Sequence, residues 1–169
     1  MSMKKVYLVG FMGCGKTTAG KLLAKLTGFT HVDTDAEIEN ETGKTVSEIF
    51  SQQGETAFRE MEFKLMNRYF SSSDNLIISA GGGLPCFYDL MHGMNENGIT
   101  VYLNCDEDVL EQRLKENVSH RPLIHSGELR KSISEKMVQR KPIYEKAQII
   151  INGNQSPEKV AEEILKKLY

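Results

Sequence analysis

The amino-acid sequence predicts an α/β fold in which a parallel β-sheet is covered by helices on both faces. Three observations predict it. Short, predominantly apolar runs recur along the chain, at residues 6–9, 76–80 and 99–103, and such runs suit strands buried on both sides. Between them lie longer stretches with apolar residues at helical spacing, and this alternation builds right-handed βαβ units. The most unusual segments, residues 10–17, 33–35 and 81–83, each follow a predicted strand. Ligands of parallel sheets gather at the carboxyl ends of the strands, so these three segments are expected to meet in space.

Residues 6–9 form the first strand. The next segment carries Ala19, Leu22, Leu23 and Leu26 with lysines between them, which is helical spacing over 16–27, and Gly28 is its stop. A second strand over 29–32 leads into Asp33-Thr34-Asp35, and a polar helix continues over 36–41 towards Gly43. Thr45 and Glu48 have the spacing of a capping box at the start of another helix. A longer helix is expected from Glu55 to about Phe70, after Gly54. Residues 71–75 are a loop, 76–80 the third strand, and Gly81-Gly82-Gly83 ends it. A helix is expected over 87–95, interrupted by Gly93. Residues 99–103 are the fourth strand, followed over 106–115 by a helix with an acidic first turn. Residues 117–126 are polar, contain Pro122 and lack apolar periodicity, so they read as a mobile loop. A helix over 127–140 and a fifth strand over 148–151 follow. The last helix is capped by Ser156, with Pro157 at its first position.

The 169 residues suit one domain with inserted functional loops. A chain of this size buries roughly two-thirds of its unfolded surface without disulfides or a structural metal. Its formal net charge of -2 gives no electrostatic case for a nucleic-acid or anionic-membrane binder. Cys14, Cys86 and Cys105 are far apart and form no C-x-x-C pair, which points to reduced thiols in a cytoplasmic protein. The first nine residues have the superficial form of a secretion signal. Glycines at 10, 13 and 15 cut the apolar run short, however, and nothing approaches the ~20 apolar residues of a membrane span.

Residues 10–17, GFMGCGKT, fit G-x-x-x-x-G-K-[ST] at every fixed position. Glycines there let main-chain N–H groups turn inward around phosphate oxygens, and the following helix adds its positive N-terminus. Lys16 suits the β- and γ-phosphates, and the Thr17 hydroxyl suits Mg²⁺. A second G-K-T at residues 43–45 fails the pattern, because Ile38 stands where a glycine is required and no buried strand precedes it. Cys14 fills a free position of the loop, either as an inert filler or as a thiol made reactive by the helix N-terminus.

A phosphate loop alone does not separate a kinase from a switch or a motor. Asp33 and Asp35 point the same way if the backbone stays extended. One would then hold a metal-bound water while the other orients an acceptor hydroxyl or takes its proton; helix capping is the plainer role. Arg59 and Glu62 lie three apart on one helical face. That is either a surface ion pair or an arginine held ready for a ligand carboxylate. Three successive glycines at 81–83 exceed what a tight turn needs and open the main chain to a close-approaching ligand. Arg121, in the polar loop, suits charge stabilisation during phosphoryl transfer beneath a closing lid. Arg140 and Tyr144 read either as an exposed cation and a core aromatic or as part of the site.

Taken together, the blocks GFMGCGKTT, DTD, GETAFREME, GGG, RPLI and RKPIYEKA, in this order, closely resemble shikimate kinase over nearly the whole chain. The resemblance implies a P-loop kinase fold with a five-stranded parallel sheet in the order 2-3-1-4-5. It places an acceptor-binding helical region at about 34–62 and a mobile lid at about 117–127. Transfer of the γ-phosphate of Mg·ATP to the 3-hydroxyl of shikimate is the implied reaction, a step of aromatic amino-acid biosynthesis. By the same resemblance Gly13, Cys14, Gly15, Lys16, Thr17 and Thr18 hold the ATP phosphates, Thr17 binds Mg²⁺ and Asp33 supports that metal. Asp35, Arg59, Gly82 and Arg140 bind shikimate, Arg121 reaches ATP from the lid, and Asn154 and Gln155 lie near the adenine. Lys16, Asp33, Asp35 and Arg121 form the implied catalytic set, in a monomer that needs neither nucleic acid nor membrane. Ile124 stands where the family often has leucine, and strand three lacks a terminal aspartate, which leaves metal support to Thr17 and Asp33. A related small-metabolite kinase, such as a gluconate kinase, and a catalytically silent nucleotide-binding module remain the alternatives.

Overall fold

The computed structural model describes residues 5–117 and 126–169. The segment containing Arg121 and most of the expected lid lies outside the described residues. Among the described residues, five strands, β1 (Lys5–Val9), β2 (Thr30–Asp33), β3 (Leu76–Ser79), β4 (Ile99–Asn104) and β5 (Ile149–Asn152), form one sheet in the order β2-β3-β1-β4-β5. Every neighbouring pair is parallel. All five residues of β1 are buried, as are all four of β3. Strands at the centre of such a sheet are apolar because helices cover both faces.

Among the described residues, seven α-helices flank the sheet: α1 (Lys16–Thr27), α2 (Thr34–Thr42), α3 (Val46–Ser71), α4 (Leu90–Asn97), α5 (Glu107–Glu116), α6 (Ser126–Tyr144) and α7 (Pro157–Leu168). The main core joins Leu8, Ile77, Ile78, Val101 and Leu103 of the sheet to Leu23, Met94, Leu110 and Ile164 of the helices. Each such buried side chain contributes about 1.5–3 kcal/mol relative to exposure. A separate small cluster, Ile38, Ile49, Phe58 and Leu65, packs α2 against α3. These two helices therefore carry a core of their own.

Several local signals act as the sequence predicts. Gly28 caps α1 in the left-handed conformation, Thr45 and Glu48 form the capping box, and Ser156 accepts from Lys159 N at 3.4 Å to cap α7. Lys5 Nζ donates to the Phe70 and Ser72 carbonyls at 3.1 and 2.7 Å, placing a cation at the C-terminus of α3.

Other boundaries differ for physical reasons. The two helices expected on either side of Gly54 form one run, broken only at Gly54, whose φ of 84° and ψ of 170° are not helical. The helix expected over 87–95 begins later, at Leu90. A 3₁₀ turn (Leu84–Cys86) and two left-handed residues, Tyr88 and Asp89, precede it. Gly93 does not interrupt that helix. A side chain there would meet the Phe70 ring at 3.0 Å, so the glycine lets α4 lie against α3.

Candidate active site

The phosphate loop is a main-chain construction. Gly10, Gly13 and Gly15 have φ of 145°, 81° and 95°, a region that L side chains rarely adopt. At Gly10 space is also short, because a Cβ would come within 2.8 Å of Cys14 Sγ and 2.9 Å of the Leu103 oxygen. The loop is pinned by Cys14 N, which donates to the Phe11 oxygen at 3.2 Å. Lys16 is buried, and its ammonium donates to the Gly10 and Phe11 carbonyls at 2.7 and 2.9 Å. The first turn of α1 opens onto a cavity of about 440 Å³ lined by Gly13 to Thr18, Asp33, Asp35, Gly81 and Gly82. The unsatisfied N–H groups of that turn favour a bound anion.

The two aspartates reach this cavity by a route the sequence does not foretell. The backbone does not stay extended: Asp33 ends β2 and caps α2, and Asp35 lies within the first turn of that helix. Asp33 takes the capping role and, with its other oxygen, also binds Thr17. Its Oδ1 accepts from Asp35 N and Ala36 N at 3.1 and 3.2 Å, while its Oδ2 accepts from the Thr17 hydroxyl at 2.6 Å. Asp35 Oδ1 is buried without a hydrogen-bond partner. Burial, followed by the neighbouring Asp33 charge, raises the Asp35 carboxyl above the usual range. The Thr17 hydroxyl and the Asp33 carboxylate are hard oxygen donors of the kind Mg²⁺ takes, with phosphates and waters filling its remaining positions. Among the described residues no group of three or more His, Cys, Asp or Glu forms an all-protein metal cage.

Across the glycine turn lies a second cluster. Arg59 is buried and donates to Glu62 at 2.7 Å and to Glu55 at 3.1 Å. Its guanidinium also stacks 4.3 Å from the centroid of the Phe87 ring. A side chain at Gly83 would come within 2.4 Å of Arg59 Nη2, and one at Gly81 within 2.6 Å of Asp35 Oδ1 and 3.1 Å of Glu62 Oε1. A side chain at Gly82 would lie 3.3 Å from Met12 N and 3.5 Å from Arg140 Nη1. Each glycine thus makes room for a different charged or main-chain group, which a simple turn would not require. Arg59 and Arg140 do not border the phosphate cavity itself; they reach the glycine turn, whose Gly81 and Gly82 do. Tyr144 is a buried core residue, yet its hydroxyl donates to the Gly82 oxygen and so steadies the same turn.

Glu62 is buried and its Oε1 has no partner. Burial pushes its carboxyl up to about 7 against the pull of the Arg59 hydrogen bond. Two orphaned carboxylate oxygens and two guanidinium groups thus surround one glycine-lined turn, an arrangement suited to a ligand bearing both a carboxylate and hydroxyls.

Gln155 borders the cavity, whereas Asn154 does not. It exchanges hydrogen bonds with Asp106, accepting from Asp106 N and donating to Asp106 Oδ2, both at 2.9 Å. Sequence reasoning missed Arg113, Asn117, Pro157 and Val160, which complete the far wall of the cavity. Arg113 donates to the Cys14 oxygen at 3.3 Å, a contact spanning 99 residues. Its only sequence signal is a basic residue late in α5, which reads equally as an ordinary response to the helix dipole.

The sheet order, with a glycine-rich phosphate loop between its central strand and the first helix, is that of the P-loop kinases. Solved structures of that broad class share the fold: a gluconokinase from Sinorhizobium meliloti superimposes with a TM-score of 0.63 at 18% identity, over 97% of this chain and 90% of its own. A family model described as shikimate kinase matches residues 12–169, and the chain belongs to the shikimate kinase family. The shikimate kinase of Parabacteroides distasonis is 46% identical over 154 residues, covering 89% of this chain and 88% of that protein. That of Persephonella marina is 42% identical over 167 residues, covering 98% and 99%. The crystal structure of shikimate kinase from Bacteroides thetaiotaomicron has a TM-score of 0.93 at 37% identity over 99% of each chain. A complex of the Acinetobacter baumannii enzyme with shikimate has a TM-score of 0.90 at 34% identity, covering 99% of this chain and 93% of that one.

Proposed function

We propose that this chain transfers the γ-phosphate of Mg·ATP to the 3-hydroxyl of shikimate, giving ADP and shikimate 3-phosphate. The observation that carries the reading is the glycine turn at 81–83, which lies beside the phosphate loop at Gly82 and leaves room for Asp35, Glu62, Arg59 and Arg140. Shikimate is a hydroxylated ring acid, and its carboxylate suits paired guanidinium groups. Arg59, fixed by Glu62 and Phe87, is pre-organised for that carboxylate, and Arg140 lies beside Gly82 in the same turn.

Gly13 to Thr18 would present main-chain N–H groups to the phosphates, with Lys16 exchanging its loop carbonyls for β- and γ-oxygens. Thr17 and Asp33 would hold Mg²⁺, which when bound neutralises the phosphate charge. Asp35 Oδ1 would orient the acceptor hydroxyl and take its proton. Its raised carboxyl makes it a better base than an ordinary aspartate, and its lack of a partner leaves it open to that contact. Arg121 would add positive charge from a lid at about 117–127. Gln155, with Arg113 and Pro157, would flank the nucleobase, since these residues line the cavity beyond the phosphate loop.

The whole chain would act as one kinase domain, with acceptor contacts drawn mainly from residues 34–62. It would work as a monomer in the cytoplasm, and three free thiols favour that compartment. No helix among the described residues is long and apolar enough to cross a membrane. ADP release measured with and without shikimate tests the proposal: turnover should depend on shikimate and fall to background with gluconate or nucleoside monophosphates. Equal turnover with gluconate would contradict the acceptor assignment, and intact ATP binding without any turnover would favour a silent module.

A further inference from the structure

Cys14, in the phosphate loop, and Cys105, just after β4, are 91 residues apart yet share one buried pocket. The Cys105 thiol donates to the Cys14 oxygen at 3.7 Å, which brings its sulfur against the phosphate loop at Cys14. Both residues are almost fully buried, at 2% and 4% exposure, and neither is in a disulfide. Glycines confine both sulfurs: a side chain at Gly10 would lie 2.8 Å from Cys14 Sγ, and one at Gly153 would lie 2.5 Å from Cys105 Sγ. Each sulfur also has a cation beside it. Lys16 Nζ lies 3.6 Å from Cys14 Sγ, and Arg113 Nη1 lies 3.6 Å from Cys105 Sγ.

We infer that Cys14 and Cys105 form an oxidative modification site, a dithiol that a hydroperoxide closes to a disulfide and so shuts the phosphate loop. The hydrogen bond with Cys105 and the Lys16 charge pull the Cys14 thiol below its ordinary value despite burial, which favours the nucleophilic thiolate there. The same hydrogen bond and burial push Cys105 the other way, so it keeps its proton and serves as the resolving partner. Cys14 borders the phosphate cavity, which gives a small hydroperoxide its approach.

In the first step the Cys14 thiolate attacks one oxygen of hydrogen peroxide. The O–O bond breaks, and the departing hydroxide takes a proton to become water, leaving a sulfenic acid on Cys14. Cys105 sulfur then attacks Cys14 sulfur. The S–O bond breaks and the hydroxyl leaves as water, carrying the Cys105 proton. Two thiols thus supply the two electrons that reduce one peroxide to two waters. The new bond ties the phosphate loop to the end of β4 and removes the Cys14 thiol from beside Lys16. Nucleotide affinity should fall as a result. A dithiol reductant reverses the bond by exchange.

Cys86 is half-buried at the end of the 3₁₀ turn and outside this pocket, so a Cys86→Ser background leaves only the two thiols in question. Treated with hydrogen peroxide, this variant should lose both titratable thiols under denaturing conditions. Its mass should fall by two hydrogens without dimer formation. ATP affinity should drop by roughly tenfold or more and recover with dithiothreitol. Adding Cys105→Ser should leave basal ATP binding unchanged but abolish the disulfide and its reversible loss of affinity. Wild-type protein supplies the same thiol count independently, falling from three to one. Retention of both thiols, a disulfide between two chains, or an intact ATP affinity in the cross-linked monomer would each overturn the inference.

Discussion

Around the phosphate loop, position is set by the main chain. Gly10, Gly13 and Gly15 take conformations closed to other residues, and the ligand-facing groups are the backbone N–H donors that follow. Across the glycine turn, position is set by side chains. Arg59 is held by Glu55, Glu62 and the Phe87 ring, and it packs where Gly83 leaves space. The first half belongs to the main core, while the helices that supply much of the second half enclose a small cluster of their own. On the proposed reading, one scaffold would carry a generic phosphate site beside an acceptor site whose identity rests on a few buried charges. The two halves should fail separately when altered.

Gly83→Ala sharpens that comparison most, because its Cβ would displace the Arg59 guanidinium without touching the phosphate loop. The KM for shikimate should rise about tenfold, corresponding to ~1.4 kcal/mol, with the KM for ATP nearly unchanged. Steady-state kinetics with each substrate varied in turn measures both.

A smaller effect concerns pH. The folded chain keeps the Glu62 proton up to about pH 7, whereas the unfolded chain releases it near the ordinary value of 4.5. The folded state then binds more protons within that window, so stability falls as pH rises through it. The contribution of Glu62 should be about 1–3 kcal/mol across the window. Glu62→Gln should flatten this slope, and the raised Asp35 carboxyl should account for part of what remains. Urea denaturation at several pH values measures it, and an unchanged slope in the variant would show that Glu62 is ionised throughout.

Legibility in the sequence follows the same division. Short-range chemistry was readable: the phosphate loop, the capping box at Thr45 and Glu48, the Gly28 stop and the Ser156 cap are all set by neighbouring residues. The strand order came from resemblance, since residue pattern alone supplied five strands without their pairing. The double use of Asp33 was hidden because its two oxygens serve different elements, one capping α2 and the other taking the Thr17 hydroxyl. Arg113 and the meeting of Cys14 with Cys105 were invisible for a simpler reason. Nothing within a few residues of either end marks a contact made across about 90 positions. Gly93 misled because a helix-weakening residue can also be a packing device, and only the Phe70 ring decides between the two.

The separation of the two half-sites is tested most directly by titrating ATP and shikimate calorimetrically into Lys16→Ala and Arg59→Ala. Truncating Arg59 leaves Glu62 buried without its ion pair, so that variant's folding should be checked by its melting temperature. The account predicts that Arg59→Ala loses shikimate binding by roughly a hundredfold while ATP affinity survives, and that Lys16→Ala does the reverse. Comparable loss of both ligands in a folded Arg59→Ala protein would contradict it.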